Sequence, residues 1–93
     1  MSENKLLEIH AFVDIFVDAQ LFDDVVQALT KIDRIQELYE VTGEFDIITL
    51  VRSRDIEEFR DILKNKIMKI PGVKSTVSSI ALKAYKGPQC KGQ

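Results

Sequence analysis

The residues best suited to bind a small molecule lie in the segment 39–46, where a glycine and a carboxylate come together in a predicted turn. Gly43 supplies the backbone freedom that a tight turn between two strands requires. Asp46 places a carboxylate at the start of the following strand. The segment also lies near the middle of a repeated strand and helix pattern. We therefore interpret it as a candidate site, and the alternative is a hairpin turn without a further role.

Other reactive side chains are few and scattered. The chain has one histidine and one cysteine, so it offers no clustered Cys/His metal set and no internal disulfide. His10 stands alone, and we expect it to be a surface or interface residue and not a catalytic base. Cys90 lies in a glycine- and proline-rich segment without activating neighbours, which makes it a poor nucleophile. Asp14 lies among apolar residues, which suits a hydrogen-bonding interface residue or an acid at a site. We favour the interface role and expect neither a cofactor nor enzymatic activity; a small enzyme is the alternative.

The composition is that of one small globular domain, with 45% hydrophobic and 30% charged residues. We expect this domain to cover residues 1–85 and a flexible tail to follow at 86–93. The net charge is −2 without a basic block, which disfavours direct DNA binding. No apolar run approaches the roughly 18 residues of a membrane span, and no signal peptide is evident. We therefore expect a cytoplasmic protein.

The first predicted strand, residues 8–17, is apolar on both faces. One face carries Ala11, Val13, Ile15 and Val17, and the other carries Phe12, Asp14 and Phe16. Successive side chains of a strand point to opposite faces, so the pattern predicts a central strand covered on both sides.

Helices and strands alternate in the rest of the chain. A helix at 21–31 has a cap at Asp18, and a second helix begins at the capping box formed by Asp55 and Glu58 and ends before Pro71. The other strands are predicted at 35–42, 46–52 and 73–85. We expect three apolar sets to share faces: Ile35, Tyr39 and Val41 in the second strand, Val73, Val77 and Ala81 in the last strand, and Ile56, Phe59, Leu63, Ile67 and Ile70 in the second helix.

The order β-α-β-β-α-β predicts an α+β ferredoxin-like (ACT-like) fold, a four-stranded antiparallel sheet with two helices on one face. Helices on one face leave Phe12 and Phe16 on the other face exposed to water. A contiguous apolar patch of this kind marks an interface. We therefore predict a homodimer in which two sheets pack face to face, with Phe12, Asp14 and Phe16 in the interface.

Three segments resemble a known family. They are ELYEVTGEFDII at 37–48, IPGV at 70–73 and TVSSIAL at 76–82. In this order they resemble the effector-binding (RAM) domain of the Lrp/AsnC, or feast/famine, transcription regulators, and the resemblance covers roughly residues 9–85.

The resemblance implies dimerisation through the sheet, further assembly into rings of dimers (octamers or larger), and effectors, commonly amino acids, bound between subunits. Full-length members carry an N-terminal helix-turn-helix that binds DNA. Only about eight residues precede the first strand here. We therefore expect a stand-alone effector domain without DNA binding of its own.

The resemblance also implies a ligand site. The family's glycine-containing loop corresponds to Gly43, Glu44, Phe45 and Asp46, and its hydroxyl pair to Thr76 and Ser78. Asp46 would neutralise the ammonium of an amino acid, while backbone N–H groups near Gly43 and the two hydroxyls would receive its carboxylate. Phe45 or Tyr39 would contact its side chain, and Glu44 is either a solvated turn residue or a second contact for the ammonium. The structural alternatives are a turn hydrogen bond for Asp46 and cross-strand pairing for Thr76 and Ser78.

Three other functions are compatible with this topology. RNA-recognition motifs stack bases on aromatic residues of the first and third strands, and the third predicted strand has no aromatic residue. If the chain is an ACT-type amino-acid-binding domain, the kind of function stays similar, but the ligand site lies at a different place. An adaptor that co-assembles with full-length Lrp-type regulators, without binding a ligand itself, is the remaining alternative.

Overall fold

The computed structural model describes residues 8–87. Cys90 and positions 88–93 of the predicted tail lie outside the described residues. The elements, in order, are β1 (Ile9–Val17), α1 (Phe22–Thr30), β2 (Ile35–Glu40), β3 (Ile47–Ser53), α2 (Ile56–Asp61) and β4 (Val73–Ile80). A 3-10 turn, Ala19–Leu21, precedes α1, and a π-helical segment, Ile62–Ile67, extends α2.

Across residues 8–87, the strands form one antiparallel sheet in the order β2-β3-β1-β4. One core joins Val13 and Ile15 of β1 to Leu29 of α1. It also includes Phe59 of α2 and Ile67 of the π-helical segment. Both helices therefore pack on the same face of the sheet, called here the helix face; the opposite side is called the open face. The predicted ferredoxin-like α+β fold is confirmed.

Strand β1 is the centre of the sheet. Its helix-face residues Ala11, Val13 and Ile15 are fully buried. Burying one such Val or Ile side chain stabilises the fold by about 1.5–3 kcal/mol. Asp18 follows β1 and accepts a hydrogen bond from the Gln20 N–H (3.0 Å), so the predicted cap is present, although it caps the 3-10 turn before α1.

Strand β2 contains a register shift that reverses part of the predicted pattern. Ile35 pairs with Val51 and Glu37 pairs with Leu50, so the residue between them, Gln36, has no place in the register. The extra residue of a bulge moves the following side chains to the other face. Ile35 packs on the core together with Leu38, while Tyr39, opposite the open-face residue Ile48, is 55% exposed. The prediction that Ile35 and Tyr39 share a face is wrong.

Strand β4 has a similar irregularity. Val73 pairs with Val17, but Ser75 already pairs with Phe16. As a result, Val73 packs on the core, whereas Val77 lies on the open face and is 48% exposed. Their predicted shared face is therefore wrong, and the strand ends at Ile80, earlier than predicted.

The second helix has the predicted start and most of the predicted apolar stripe, since Phe59 and Ile67 are buried and Leu63 and Ile70 pack on the core. The Glu58 N–H donates to Asp55 Oδ1 (2.8 Å), as expected of a capping box. Further along, the Met68 N–H donates to the Leu63 carbonyl, five residues back. The π-helical turn widens the spacing of the stripe, so Ile62 is buried with Phe59 and Ile67. Ile56, which we predicted to be part of this stripe, is exposed.

Gly72 lies in the turn between the π-helical segment and β4. Its φ is +104°, and its carbonyl accepts a hydrogen bond from the Asp18 N–H (2.8 Å). A Cβ at this position would lie 2.8 Å from Leu21 Cβ and from Val25 Cγ2. The backbone of this turn therefore packs directly against the start of α1.

No helix formed by residues 8–87 is long and apolar enough to span a membrane.

Candidate ligand site and sheet interface

A backbone hydrogen bond joins the two ends of the loop between β2 and β3, and the tip of the loop is exposed. The Val41 N–H donates to the Asp46 carbonyl (3.0 Å). Gly43 has a φ of +124°, a conformation that favours glycine, and a Cβ at this position would meet no atom within 4 Å. Glu44 is exposed beside it. The loop therefore presents its backbone to space that a ligand or a second chain could fill.

Asp46 connects this loop to the end of β1. Its N–H donates to the Ile15 carbonyl (3.1 Å), and its Oδ2 accepts from the Val17 N–H (2.8 Å). Within residues 8–87, its other carboxylate oxygen accepts no hydrogen bond. The carboxylate is thus held in place and has one oxygen available for a ligand. The side-chain hydrogen bond of Asp46 thus goes to β1 and not to the turn, which was the structural alternative stated for it.

Phe45 carries the loop onto the open face. Its ring centroid lies 4.5 Å from that of Phe16, with the ring planes inclined by 37°. Offset or tilted aromatic pairs at this separation are favourable by about 0.5–1.5 kcal/mol beyond the area they bury. The candidate ligand loop and the predicted interface are therefore one continuous surface.

Tyr39 lies on the open face of the edge strand β2. Its hydroxyl donates to Glu37 Oε1 (3.0 Å). This hydrogen bond, and secondly the negative charge of Glu37, raise the pKa of Tyr39 above its ordinary value. The phenol therefore stays neutral and hydrogen-bonded over a wider range of pH.

Thr76 and Ser78 lie on the far side of β1 from Asp46. They pair with Ile15 and Val13 in register and so share the helix face of the sheet. Neighbouring strands are about 4.8 Å apart, which separates the backbones of β3 and β4 by about 10 Å. The predicted loop and the predicted hydroxyl pair do not converge on one point within a single chain.

The residues predicted for the interface share the open face. Phe12 is 46% exposed and Phe16 is half-buried. Asp14 pairs in register with Ile48 on one side and Val77 on the other, so its carboxylate lies between apolar neighbours.

His10, at the other end of this face, is buried more deeply than the sequence indicated. It is 6% exposed, and neither ring nitrogen has a hydrogen-bond partner in the part of the chain that the structure describes. Its register partner Arg52 forms an ion pair with Glu8 (2.8 Å). A lone histidine in an alternating strand carries no signal of such burial. Residues 8–87 contain no group of three His, Cys, Asp or Glu side chains that could hold a metal.

Comparison with known proteins gives consistent matches. The model of the Lrp/AsnC ligand binding domain matches residues 10–89. The HTH-type transcriptional regulator FL11 from Pyrococcus abyssi is 38% identical over 76 residues, which cover 82% of this chain and 50% of that protein. The chain thus spans about half the length of these curated relatives.

Two solved structures extend the comparison. TTHA0845 from Thermus thermophilus is 33% identical, with a TM-score of 0.80 and coverage of 85% of this chain and 99% of that one. A feast or famine regulatory protein from M. tuberculosis, complexed with L-methionine, is 29% identical, with a TM-score of 0.75 and coverage of 87% and 54%. Because the family model matches most of the residues and the fold agrees, this chain belongs to the Lrp/AsnC family through its ligand-binding domain.

Proposed function

We propose that this chain is a cytoplasmic, non-enzymatic sensor of a free amino acid and an assembly module of Lrp/AsnC-type regulation. The observation that supports this most directly is the anchored Asp46 carboxylate beside the open backbone of Gly43. An ammonium group can bind the carboxylate oxygen that Val17 leaves unused. The relative from M. tuberculosis, whose structure is a complex with L-methionine, supports an amino acid as the class of ligand.

The proposal assigns the two halves of the site to different copies of the chain. Asp46 and the loop bind the ammonium in one copy, while Thr76 and Ser78 of a copy in a neighbouring dimer receive the carboxylate. The open-face partner cannot supply these hydroxyls, because they share the helix face. This division follows from their positions on opposite sides of β1. Ligand binding and assembly are coupled in this proposal, because a complete site needs more than one chain.

Assembly begins, in this proposal, with two open faces packing together around Phe12, Asp14 and Phe16. The exposed apolar groups Phe12 and Val77 supply the driving force. The Asp14 carboxylate forms hydrogen bonds within the interface.

The test is a thermal-unfolding screen against the twenty amino acids at fixed protein concentration. A ligand at a hundred times its Kd stabilises the native state by about 2.7 kcal/mol, and each kcal/mol raises the Tm of a domain of this size by about 4–8 °C. We expect a selective shift for one or a few amino acids. Asp46→Asn should abolish that shift while keeping the hydrogen bond from the Val17 N–H, because an amide oxygen also accepts.

Asp33→Asn, which removes an exposed carboxylate outside the loop, is the matched control and should retain the full shift. A full shift in Asp46→Asn would exclude Asp46 as the ammonium contact. The absence of a shift with every amino acid would favour an adaptor that pairs with full-length regulators, which co-purification would then test.

A further inference from the structure

A cleft of about 470 Å³ lies between α1 and the edge strand β2. Phe22 and Val26 of α1 and Leu38 and Ile47 of the sheet form its apolar floor. This volume lies within the range of about 300–1,000 Å³ that is usual for small-molecule sites. The Asp46 carboxylate is directed to β1 instead, so the cleft is separate from the amino-acid site proposed above.

The rim of the cleft is acidic. Asp23 of α1 and Glu40 of β2 line it, together with Tyr39. Among the described residues, no lysine or arginine lines the cleft, and neither carboxylate takes part in an ion pair. At the rim, therefore, the two carboxylates face no basic side chain of the described residues, and only the N-terminus of α1 partly offsets the charge of Asp23.

Tyr39 also lines the cleft, but its ring belongs to the open face, where its hydroxyl donates to Glu37 Oε1 (3.0 Å). The charge preference of the rim therefore comes from the two carboxylates, Asp23 and Glu40.

We propose that the cleft between α1 and β2 binds a small organic cation, a primary amine attached to a short unbranched aliphatic chain. The chain contacts the floor formed by Phe22, Val26, Leu38 and Ile47, and the ammonium lies between Asp23 and Glu40. A carboxylate ligand is excluded because both rim residues would repel it. The site does not depend on the proposed amino-acid site.

The experiment is an NMR titration of the whole chain with three probes of equal length, n-hexylammonium, n-hexanol and hexanoate. We expect n-hexylammonium to shift the methyl signals of Val26 and Leu38, with weaker binding at higher salt. Hexanol should bind more weakly and without salt dependence, and hexanoate should not bind. Exposed ion pairs contribute about 0.2–1 kcal/mol, so Asp23→Asn and Glu40→Gln should each weaken n-hexylammonium binding by up to about fivefold.

Asp24→Asn is the matched control, because Asp24 lies beside Asp23 in the first turn of α1 but does not line the cleft. It should leave the affinity unchanged. Equal binding of hexanoate, equal weakening by Asp24→Asn, or shifts confined to the 43–46 loop or the open face would each overturn the proposal. The absence of any shift at Val26 and Leu38 would overturn it as well. None of these outcomes affects the amino-acid screen, which reports on Asp46.

Discussion

Glu58 is a residue whose surroundings stabilise its charged form. One carboxylate oxygen accepts from the Arg54 backbone N–H (2.7 Å), and the Arg34 and Arg54 guanidinium groups lie at 3.3 Å. The backbone hydrogen bond from Arg54 is the largest cause and lowers the pKa of Glu58. Burial, the next largest cause, raises it, and the side-chain hydrogen bond from Arg54 and the charges of Arg34 and Arg54 lower it further. The carboxylate therefore links the start of α2 to Arg54, just before the helix, and to Arg34, just before β2.

We expect Glu58→Gln to lower stability at neutral pH and to have little effect in acid. A carboxyl group whose pKa is lowered on folding contributes stability above its unfolded pKa, and that contribution disappears as the pH falls through the folded value. The denaturation midpoints of wild type and variant should therefore differ at pH 7 and converge below about pH 4. Glu57→Gln, in the same first turn without an ion pair in the described chain, is the control. A difference that persisted in acid would contradict the argument.

At the residue scale, the sequence predicted the local polar groups well. The capping role of Asp55 and the turn glycine at 43 follow from side-chain chemistry within four residues. The return bond of the capping box was not predictable, because the Glu58 side chain binds the N–H of Arg54 instead of the N–H of Asp55. Nor was the contact from Asp46 to Val17, which joins residues far apart in the chain.

At the scale of elements, bulges determine which side chains share a face. The alternation in β1 is uninterrupted, so both of its faces were predicted correctly. In β2 and β4 one additional residue shifts the pattern, and a run such as Ile35 to Tyr39 fits either register. Packing determines where the bulge lies, because with this bulge Leu38 contacts the core and Tyr39 does not. Single-sequence periodicity does not contain that information.

The contact between α1 and the turn before β4 provides a test at this scale. We expect Gly72→Ala to destabilise the protein by about 1–3 kcal/mol from backbone strain alone, and by more because the new methyl group would lie 2.8 Å from Leu21 Cβ, which cannot move without its backbone. Gly43→Ala is the control for strain, since its φ is also positive but its Cβ meets open space. Urea denaturation of both variants measures the difference, and equal losses would show that the contact with α1 is unimportant.

At the scale of the whole molecule, the open face is a surface of exposed apolar side chains without a covering layer among the described residues. Phe12 and Val77 are about half exposed there, and the Phe16–Phe45 pair continues the surface to the ligand loop. The sequence predicted this face because the two phenylalanines alternate with the buried residues of β1. It could not predict the separation of Asp46 from Thr76, which depends on the strand order.

We expect Phe12→Lys to convert a dimer into a folded monomer. Burying a phenylalanine contributes about 1.5–3 kcal/mol, and a lysine in its place would bring two positive charges into one interface. Sedimentation and light scattering measure the mass, and circular dichroism checks that the fold is retained. Gln27→Lys, on the exposed side of α1, is the control for added charge. A wild-type chain that is monomeric in a dilute sample would refute the interface.

The central position of β1 also has a consequence for folding. Within residues 8–87, β1 comes first in the chain and pairs with β3 and with the last strand, β4, whereas the hairpin of β2 and β3 needs only local contacts. Non-local pairings of this kind slow folding, because the chain must close long loops before it gains their contacts. The pairing of β1 is therefore complete only when β4, far along the chain, has joined the sheet. A chain truncated before β4 would expose one side of β1 as a free edge, which is a template for pairing with other chains.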